Sequence, residues 1–283
     1  MKLLSTIHNL NNIESLLTYT EGFVVGLKGF STRETSFFTV DELRKLSEIL
    51  GKHNKELYLS FKPFLHHQGE DLFKLIKDLK INITGLIIGD IGYYYLLKDL
   101  EIPIIYQPET LITNTFDMNI FFEVGLKGVF LSKEINLTDI NEMSSNKKGI
   151  VFMNAHKHLN MFYSKRHLLK SYLKEIKQEY HYQNKNLFLK EEKREEKMPI
   201  VEDEFGTHVY RSNVSSIIDH LANLKNIDYL LVDSMFYDDR YCLDILKMFK
   251  GEKTKEAIQD KYKQIWDDGF LTTKTIYKRE END

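Results

Sequence analysis

A single cysteine, Cys242, stands in 283 residues. It excludes an internal disulfide framework and any metal centre that draws several thiolates from this chain, and it fits a reducing, cytoplasmic compartment. Long apolar runs are equally scarce. Residues 1–7, MKLLSTI, are too short for the apolar region of a signal peptide, and no later stretch approaches the roughly 20 apolar residues of a membrane helix, so no membrane association is expected. Excess charge is missing as well: a formal net charge of -3 argues against indiscriminate coating of nucleic acid, which relies on many phosphate neutralisations. No internal repeat or low-complexity linker stands out, and a hydrophobic content of 42% is ample for a buried core.

Local charge departs from the average. Residues 147–197 hold 13 Lys or Arg against 6 Glu, so one basic face on an acidic body is expected. Its densest part is HKHLNMFYSKRH at 156–167, where imidazoles, ammonium groups and a guanidinium crowd together. Such groups bind metal, move protons, grip anions or only keep a surface wet.

Short β-rich runs recur along the chain: KLLSTI at 2–7, GFVVGL at 22–27, ELYLSF at 56–61, GLIIGD at 85–90, PIIYQ at 103–107, GVFLS at 128–132, GIVFMNA at 149–155 and YLLVDS at 229–234. Most are continuous Val, Ile and Leu runs, as in strands buried on both faces of a parallel sheet. Between them lie amphipathic stretches such as VDELRKLSEIL at 40–50 and EDLFKLIKDL at 70–79, which read as covering helices. Strands alternating with helices in this number predict a TIM-like (β/α) barrel of eight parallel strands, with an open doubly wound sheet as the alternative. The interval before the last strand breaks the rhythm. HLLKSYLKEIKQEY at 167–180 reads as a basic helix, while Pro199 and a turn at Gly206 read as a hairpin insertion, despite the helical propensity of LKEEKREEK. The expected organisation is a barrel over 1–251 that includes the helix and hairpin at about 157–212, then a C-terminal helix and charged tail over 252–283.

In such a barrel the chemistry gathers at the C-terminal ends of the strands. His8, Lys28, Lys62, Asp90, Gln107, Lys133 with Glu134, His156 and Asp233 follow the strands in turn. Taken singly, each is a polar residue in a loop; taken together, cations among carboxylates suit a small acidic ligand. His156 and His158 have no neighbouring carboxylate to complete H-E-x-x-H, so no metal site is expected. No G-x-S-x-G turn precedes Ser164, and NITGLIIGDIG lacks the spacing that lets backbone amides approach a pyrophosphate.

GLKGFSTR at 26–33, LITN at 111–114, HLNMFYSKRHLL at 158–169 and EDEFGTHVYRS at 202–212 resemble, in order and spacing, the peptidase U-32 family of collagenase-like proteins. The most specific blocks are Tyr163-Ser164 followed by Arg166, and Glu202-Asp203 with Gly206-Thr207. The resemblance implies a barrel-like catalytic domain. Two departures qualify it. Phe152 takes the place of the family's Glu and Lys157 that of its Gly, with His156 retained. Asn160 and His167 stand where cluster-binding relatives place cysteines, and Cys242 alone cannot hold an iron-sulfur cluster. The MFYSKR variant and small size are most similar to the short subunit of the paired bacterial members. That similarity implies a factor in making 5-hydroxyuridine at the wobble position of tRNA, with prephenate as a required metabolite and a longer paralogous subunit as partner.

On this basis Lys28 and Arg166 are expected to clamp prephenate or another small carboxylate, with Lys165, Asn114, Gln107 and Asp233 completing the substrate site. His156 is the expected proton carrier and Tyr163 an orienting hydrogen-bond partner. The basic segment, with Phe162, Tyr163, Tyr172, Tyr180 and Tyr182, is expected to face tRNA. One alternative is a collagenase-like hydrolase that uses Glu202 and Asp203 as acid and base from an insertion folded over the mouth. Another is a non-catalytic scaffold that stabilises a longer partner.

Overall fold

Each apolar run pairs with the next as a parallel strand. A computed structural model of the chain describes residues 1–64, 69–180, 187–193 and 195–273; Tyr182 and the last ten residues of the charged tail lie outside them. The strands are β1 (Lys2–Ser5), β2 (Gly22–Leu27), the short β3 (Phe37–Phe38), β4 (Glu56–Phe61), β5 (Gly85–Ile88), β6 (Ile104–Tyr106), β7 (Gly128–Phe130), β8 (Ile150–Ser164), β9 (Leu187–Lys190), β10 (Lys197–Asp203), β11 (Gly206–Ser216), β12 (Tyr229–Val232) and β13 (Trp266–Asp267). From β1 the parallel ladder runs through β2, β4, β5, β6, β7 and β8, and β12 closes it by pairing with both β8 and β1. Leu231 thus faces Leu4 on one side and Asn154 on the other, which makes an eight-stranded closed barrel and excludes the open sheet.

Alternation along the strands sorts the side chains. Leu4, Val24, Ile87, Ile105 and Leu231 fill the interior together with the rings of Tyr58, Phe130, Phe152 and Tyr229. The intervening residues, such as Val25, Leu59, Leu86 and Val151, face the surrounding helices. Those are α1 (Ile13–Leu17), α2 (Val40–Lys52), α3 (Gly69–Leu79), α4 (Gly92–Leu97), α5 (Thr115–Val124), α6 (Leu137–Ser145) and, after the hairpins, α8 (Asp239–Phe249) and α9 (Lys255–Tyr262). In α2 the apolar face of Leu43, Leu46 and Leu50 is buried, and Thr39 and Glu42 exchange hydrogen bonds in a capping box that starts the helix. Among the described residues no helix is long and apolar enough to cross a membrane.

The seventh barrel strand does not end where its apolar run ends. β8 continues through the basic stretch to Ser164, and its outer half leaves the barrel to pair antiparallel with β11. β10 and β9 extend this sheet outward, and α7 (Leu168–Glu175) lies beside it. The hairpin expected around Pro199 and Gly206 is present, and it forms a flap above the barrel mouth. Gly206 holds the β10–β11 turn at φ 131, where a Cβ would stand 2.0 Å from the Ser164 carbonyl oxygen. No L side chain fits there. β13 was not legible in advance, because a two-residue strand is defined by its partners Val214 and Ser215 rather than by a pattern of its own.

Phe152, where the family resemblance places a Glu, is 1% exposed and stacks on Tyr229 at 4.6 Å and on Phe130 at 5.1 Å. Replacing Phe152 by Ala is expected to cost about 3–5 kcal/mol in urea unfolding, the cost of a large cavity among rings that cannot collapse.

Candidate functional site

The C-terminal ends of the barrel strands carry charge where the interior layer below them is apolar. Lys62 after β4 pairs with Glu34 at 2.9 Å, with both side chains at most 2% exposed. Lys157 in β8 pairs with Asp233 after β12 at 3.2 Å. Lys133 after β7 faces Glu109, beyond β6, at 3.9 Å. Hydroxyls and amides complete these pairs: Ser60 donates to Glu34 at 2.6 Å, Thr35 to Asp233 at 2.7 Å, and the Met235 amide to Asp233 at 2.9 Å. Buried charges persist only with such partners.

Protonation follows from the same packing. Burial pushes Asp233 upward, but Lys157, the Thr35 hydroxyl and Lys62 outweigh it and hold the carboxyl below its usual range. Burial likewise works against Glu109, and Lys157, Lys133, Arg33 and Lys62 still bring it down to about 2. Burial lowers Lys133 despite Glu109 beside it, whereas Asp233, Glu109 and Glu34 raise Lys157 against its burial.

Arg33 differs from the three lysines. It donates to the Lys62 carbonyl at 2.9 Å and lies over the Tyr163 ring at 5.0 Å, and no carboxylate among the described residues is within ion-pair distance. Its backbone is left-handed, at φ 59. For a non-glycine residue that costs about 1–3 kcal/mol, and such strain concentrates at working sites.

The flap closes over this layer. Thr32 donates to Asp203 at 2.5 Å, and His208 contacts the same carboxylate at 3.2 Å. Tyr163 stacks on His208 at 4.8 Å and on Phe64 at 5.4 Å, so three rings form a column whose outer member, Phe64, is 51% exposed. Tyr163 also donates to the Phe205 carbonyl at 3.0 Å.

The expected site residues divide into groups. Gln107 and Asp233 lie in the mouth, and Tyr163 and Asp203 in the flap above it. Lys28 is exposed in a cleft of about 570 Å3 lined also by His167 and Asp203, while Lys165 and Arg166 are exposed on the flap rim. Asn114 caps α5, with its carboxamide oxygen accepting from the Asp117 amide. Glu202 is 1% exposed and engaged in structure, accepting from the Leu169 amide at 2.8 Å and the Thr207 hydroxyl at 2.6 Å.

His156 is not brought together with Lys28 and Arg166. Strict alternation from Phe152 through Asn154 would aim it inward, but Leu231 pairs with Asn154 and Val232 with His156, so β8 carries one extra residue there. This bulge reverses the faces. Lys157 enters the mouth, while His156 turns outward to the Tyr241 hydroxyl at 2.5 Å and against Trp266. Burial, then His158 nearby, pushes its pKa down to about 3. A neutral, packed imidazole is no proton carrier for the mouth. His158 shares this outer face, bonded to the Arg211 carbonyl at 2.8 Å.

Arg33, Glu34, Glu109, Lys157, His208 and Tyr210 were not among the expected site residues. Arg33 closes the GLKGFSTR block, and His208 and Tyr210 lie in the EDEFGTHVYRS block, so their places in those motifs were available signals; Glu109 carries none.

The cysteine positions of cluster-binding relatives offer no fit either. Asn160 donates to the carbonyls of Phe162 and Val209, His167 sits 3.7 Å from Glu202, and Cys242 is buried against Ser5. These donors do not suit an iron-sulfur cluster. Among the described residues no group of three or more His, Cys, Asp or Glu is placed to hold a metal ion.

The depressed carboxyl of Glu109 predicts acid sensitivity. Its unfolded value of 4.5 exceeds the folded value of about 2, so its contribution is complete above the former and is lost as pH falls toward the latter. Urea unfolding between pH 6 and 3 is expected to show this loss, of order 2–3 kcal/mol, in the native chain. Glu109→Gln should be less stable at neutral pH and show a flatter profile.

Comparison with known proteins agrees with this architecture. A family model described as Peptidase family U32 matches residues 9–280. The tRNA hydroxylation protein P2 of Bacillus subtilis (strain 168) is 26% identical over 287 residues, covering 90% of this chain and 92% of that protein. A solved U32 peptidase superposes with a TM-score of 0.53 at 10% identity, over 83% of this chain and 93% of that one, a likeness of fold. Since the family model spans nearly the whole sequence, from the first loop past the last described strand, the chain belongs to peptidase family U32.

Proposed function

We propose that this chain is a factor in tRNA hydroxylation, acting in the cytoplasm with a longer paralogous subunit to make 5-hydroxyuridine at the wobble position, with prephenate as the required metabolite. The observation that carries the reading is the near full-length likeness to a tRNA hydroxylation protein. The surface is compatible with it. Lys165 and Arg166 are exposed on the flap rim beside Phe64, the open end of the ring column, and such a pairing of cations with an accessible ring suits phosphates next to an unstacked base. Of the expected tRNA-facing aromatics, Phe162 and Tyr172 are 46% and 61% exposed.

A partner subunit is supported by an apolar groove of about 1280 Å3 between α7 and the flap strands, lined by Met161, Phe162, Leu168, Tyr172, Phe188 and Leu189 among others. Exposed apolar side chains gathered in one groove suit contact with another macromolecule.

The hydrolase alternative requires Glu202 and Asp203 as acid and base. Glu202 instead caps α7, and Asp203 is bound by Thr32, His208 and the Phe205 amide, so both carboxylates are engaged in structural hydrogen bonds.

Mass spectrometry of tRNA nucleosides from a strain lacking the gene tests the proposal. 5-Hydroxyuridine is expected to disappear and to return when the native chain is supplied. A deletion strain with normal 5-hydroxyuridine would reject it, and full rescue by an Arg33→Gln chain would favour a scaffold role over an active mouth.

A further inference from the structure

The covering helices of the barrel turn charge to solvent, and α5 departs from this. α2 exposes Asp41, Arg44, Lys45 and Glu48, and α3 exposes Lys74, Lys77 and Asp78. α5 holds no Lys or Arg, buries only Met118, and leaves Phe116 83%, Ile120 54% and Val124 42% exposed. A spacing of four residues sets these three side chains in one row along the outer face. Tyr94 donates to the Val124 carbonyl at 2.6 Å and ties α4 to the end of the row, where the exposed Tyr95 ring stands edge-on to Tyr94 at 5.4 Å. Single exposed apolar side chains are ordinary, but a row of them continued onto a second helix is a contact surface.

The shape of the row selects its occupant. Phe116 stands four residues before Ile120 and Val124 four after it. A twofold axis crossing the row at Ile120 sets the large Phe116 of each copy against the small Val124 of the other, and Ile120 against its equivalent. Rows of i±4 side chains lying together in this way give the commonest packing of two helices.

Charge agrees with shape. The twofold keeps each flank of the row on its own side while exchanging its ends. Asn119, which donates to the Asn146 carbonyl just past α6, marks one flank; at 3.6 residues per turn Asp117 lies on the other, toward α4. At the far end of that flank Lys98 and Lys127, with Glu101 as the one acid, line a hollow of about 160 Å3 against Tyr94 and Gly125. Asp117 of one copy therefore meets the cationic end of the other, which is electrostatic complementarity of the surface with itself. The area suffices as well. Phe116, Ile120, Val124 and Tyr95 expose roughly 450 Å2 in each copy, so pairing removes about 900 Å2 before the polar rim is added, against the roughly 1,000 Å2 in total of a specific interface.

We propose that α5 is the interface of a twofold homodimer, packed through Phe116, Ile120 and Val124 and oriented by Asp117. This face lies on the barrel wall, apart from the groove between α7 and the flap strands, and the proposal does not depend on the function given above.

Sedimentation velocity on the purified full chain between about 1 and 100 μM tests it. The native chain is expected at twice its monomer mass at the upper end. Ile120→Asp, which sets two carboxylates face to face on the axis, should stay monomeric throughout, a weakening of at least about 100-fold, with a native circular dichroism spectrum because the side chain is exposed in the single chain. Lys127→Glu should weaken pairing by about 10-fold, and Asp117→Lys added to the same chain should restore it, which a merely apolar contact does not predict. Ile120→Cys treated with a short bis-maleimide should give a covalent dimer, since the native Cys242 is buried. A native chain that is monomeric at about 100 μM, a dimer that persists in a folded Ile120→Asp variant, a charge exchange without rescue, or a complex through Ile120 with a different protein in place of a second copy would each overturn the proposal.

Discussion

Three ammonium groups stay charged inside the barrel mouth because a carboxylate stands beside each of them. Desolvating either partner alone would cost several kcal/mol, so the pairs are mutually required and removal of one member strands the other. Those pairs tie the ends of β4, β7, β8 and β12 to the loops after β2 and β6. They therefore organise the loops around a common centre, while Arg33 has no carboxylate partner among the described residues.

Below that layer the barrel is closed by shape. Tyr58, Phe130, Phe152 and Tyr229 meet through stacked and edge-on contacts in the interior. A Glu at position 152 would lie among these rings in place of Phe152, so the departure from the family pattern belongs to an apolar plug. The polar groups lie above this layer, on side chains contributed by the strand ends and the flap. Lys157, where the family resemblance places a Gly, is the partner of Asp233.

The flap covers the mouth. β8 serves two sheets, its inner half in the barrel and its outer half beside β11, so the covering element is a continuation of a barrel strand rather than a hinged loop. Thr32 to Asp203 and Phe64 to Tyr163 are the seams between the two parts. The same flap presents cations and a ring at its rim and an apolar groove beside α7.

The sequence alone determined the alternation of strands and helices, the hairpin around Gly206 and the family, because these depend on hydrophobic runs, turn residues and motif blocks that are local in the chain; the choice of closed barrel over open sheet was made by the pairing of β12 with both β1 and β8. The sequence also placed Gln107 and Asp233 at strand ends. Only the tertiary structure decided that Lys157 and not His156 faces the mouth, since one extra residue opposite β12 reverses every side chain beyond it and leaves no mark in composition. Likewise only the fold joins Arg33, Glu109 and Tyr210, which are distant in sequence. Their meeting depends on barrel closure and on the flap folding back, which bring together groups that no local pattern relates.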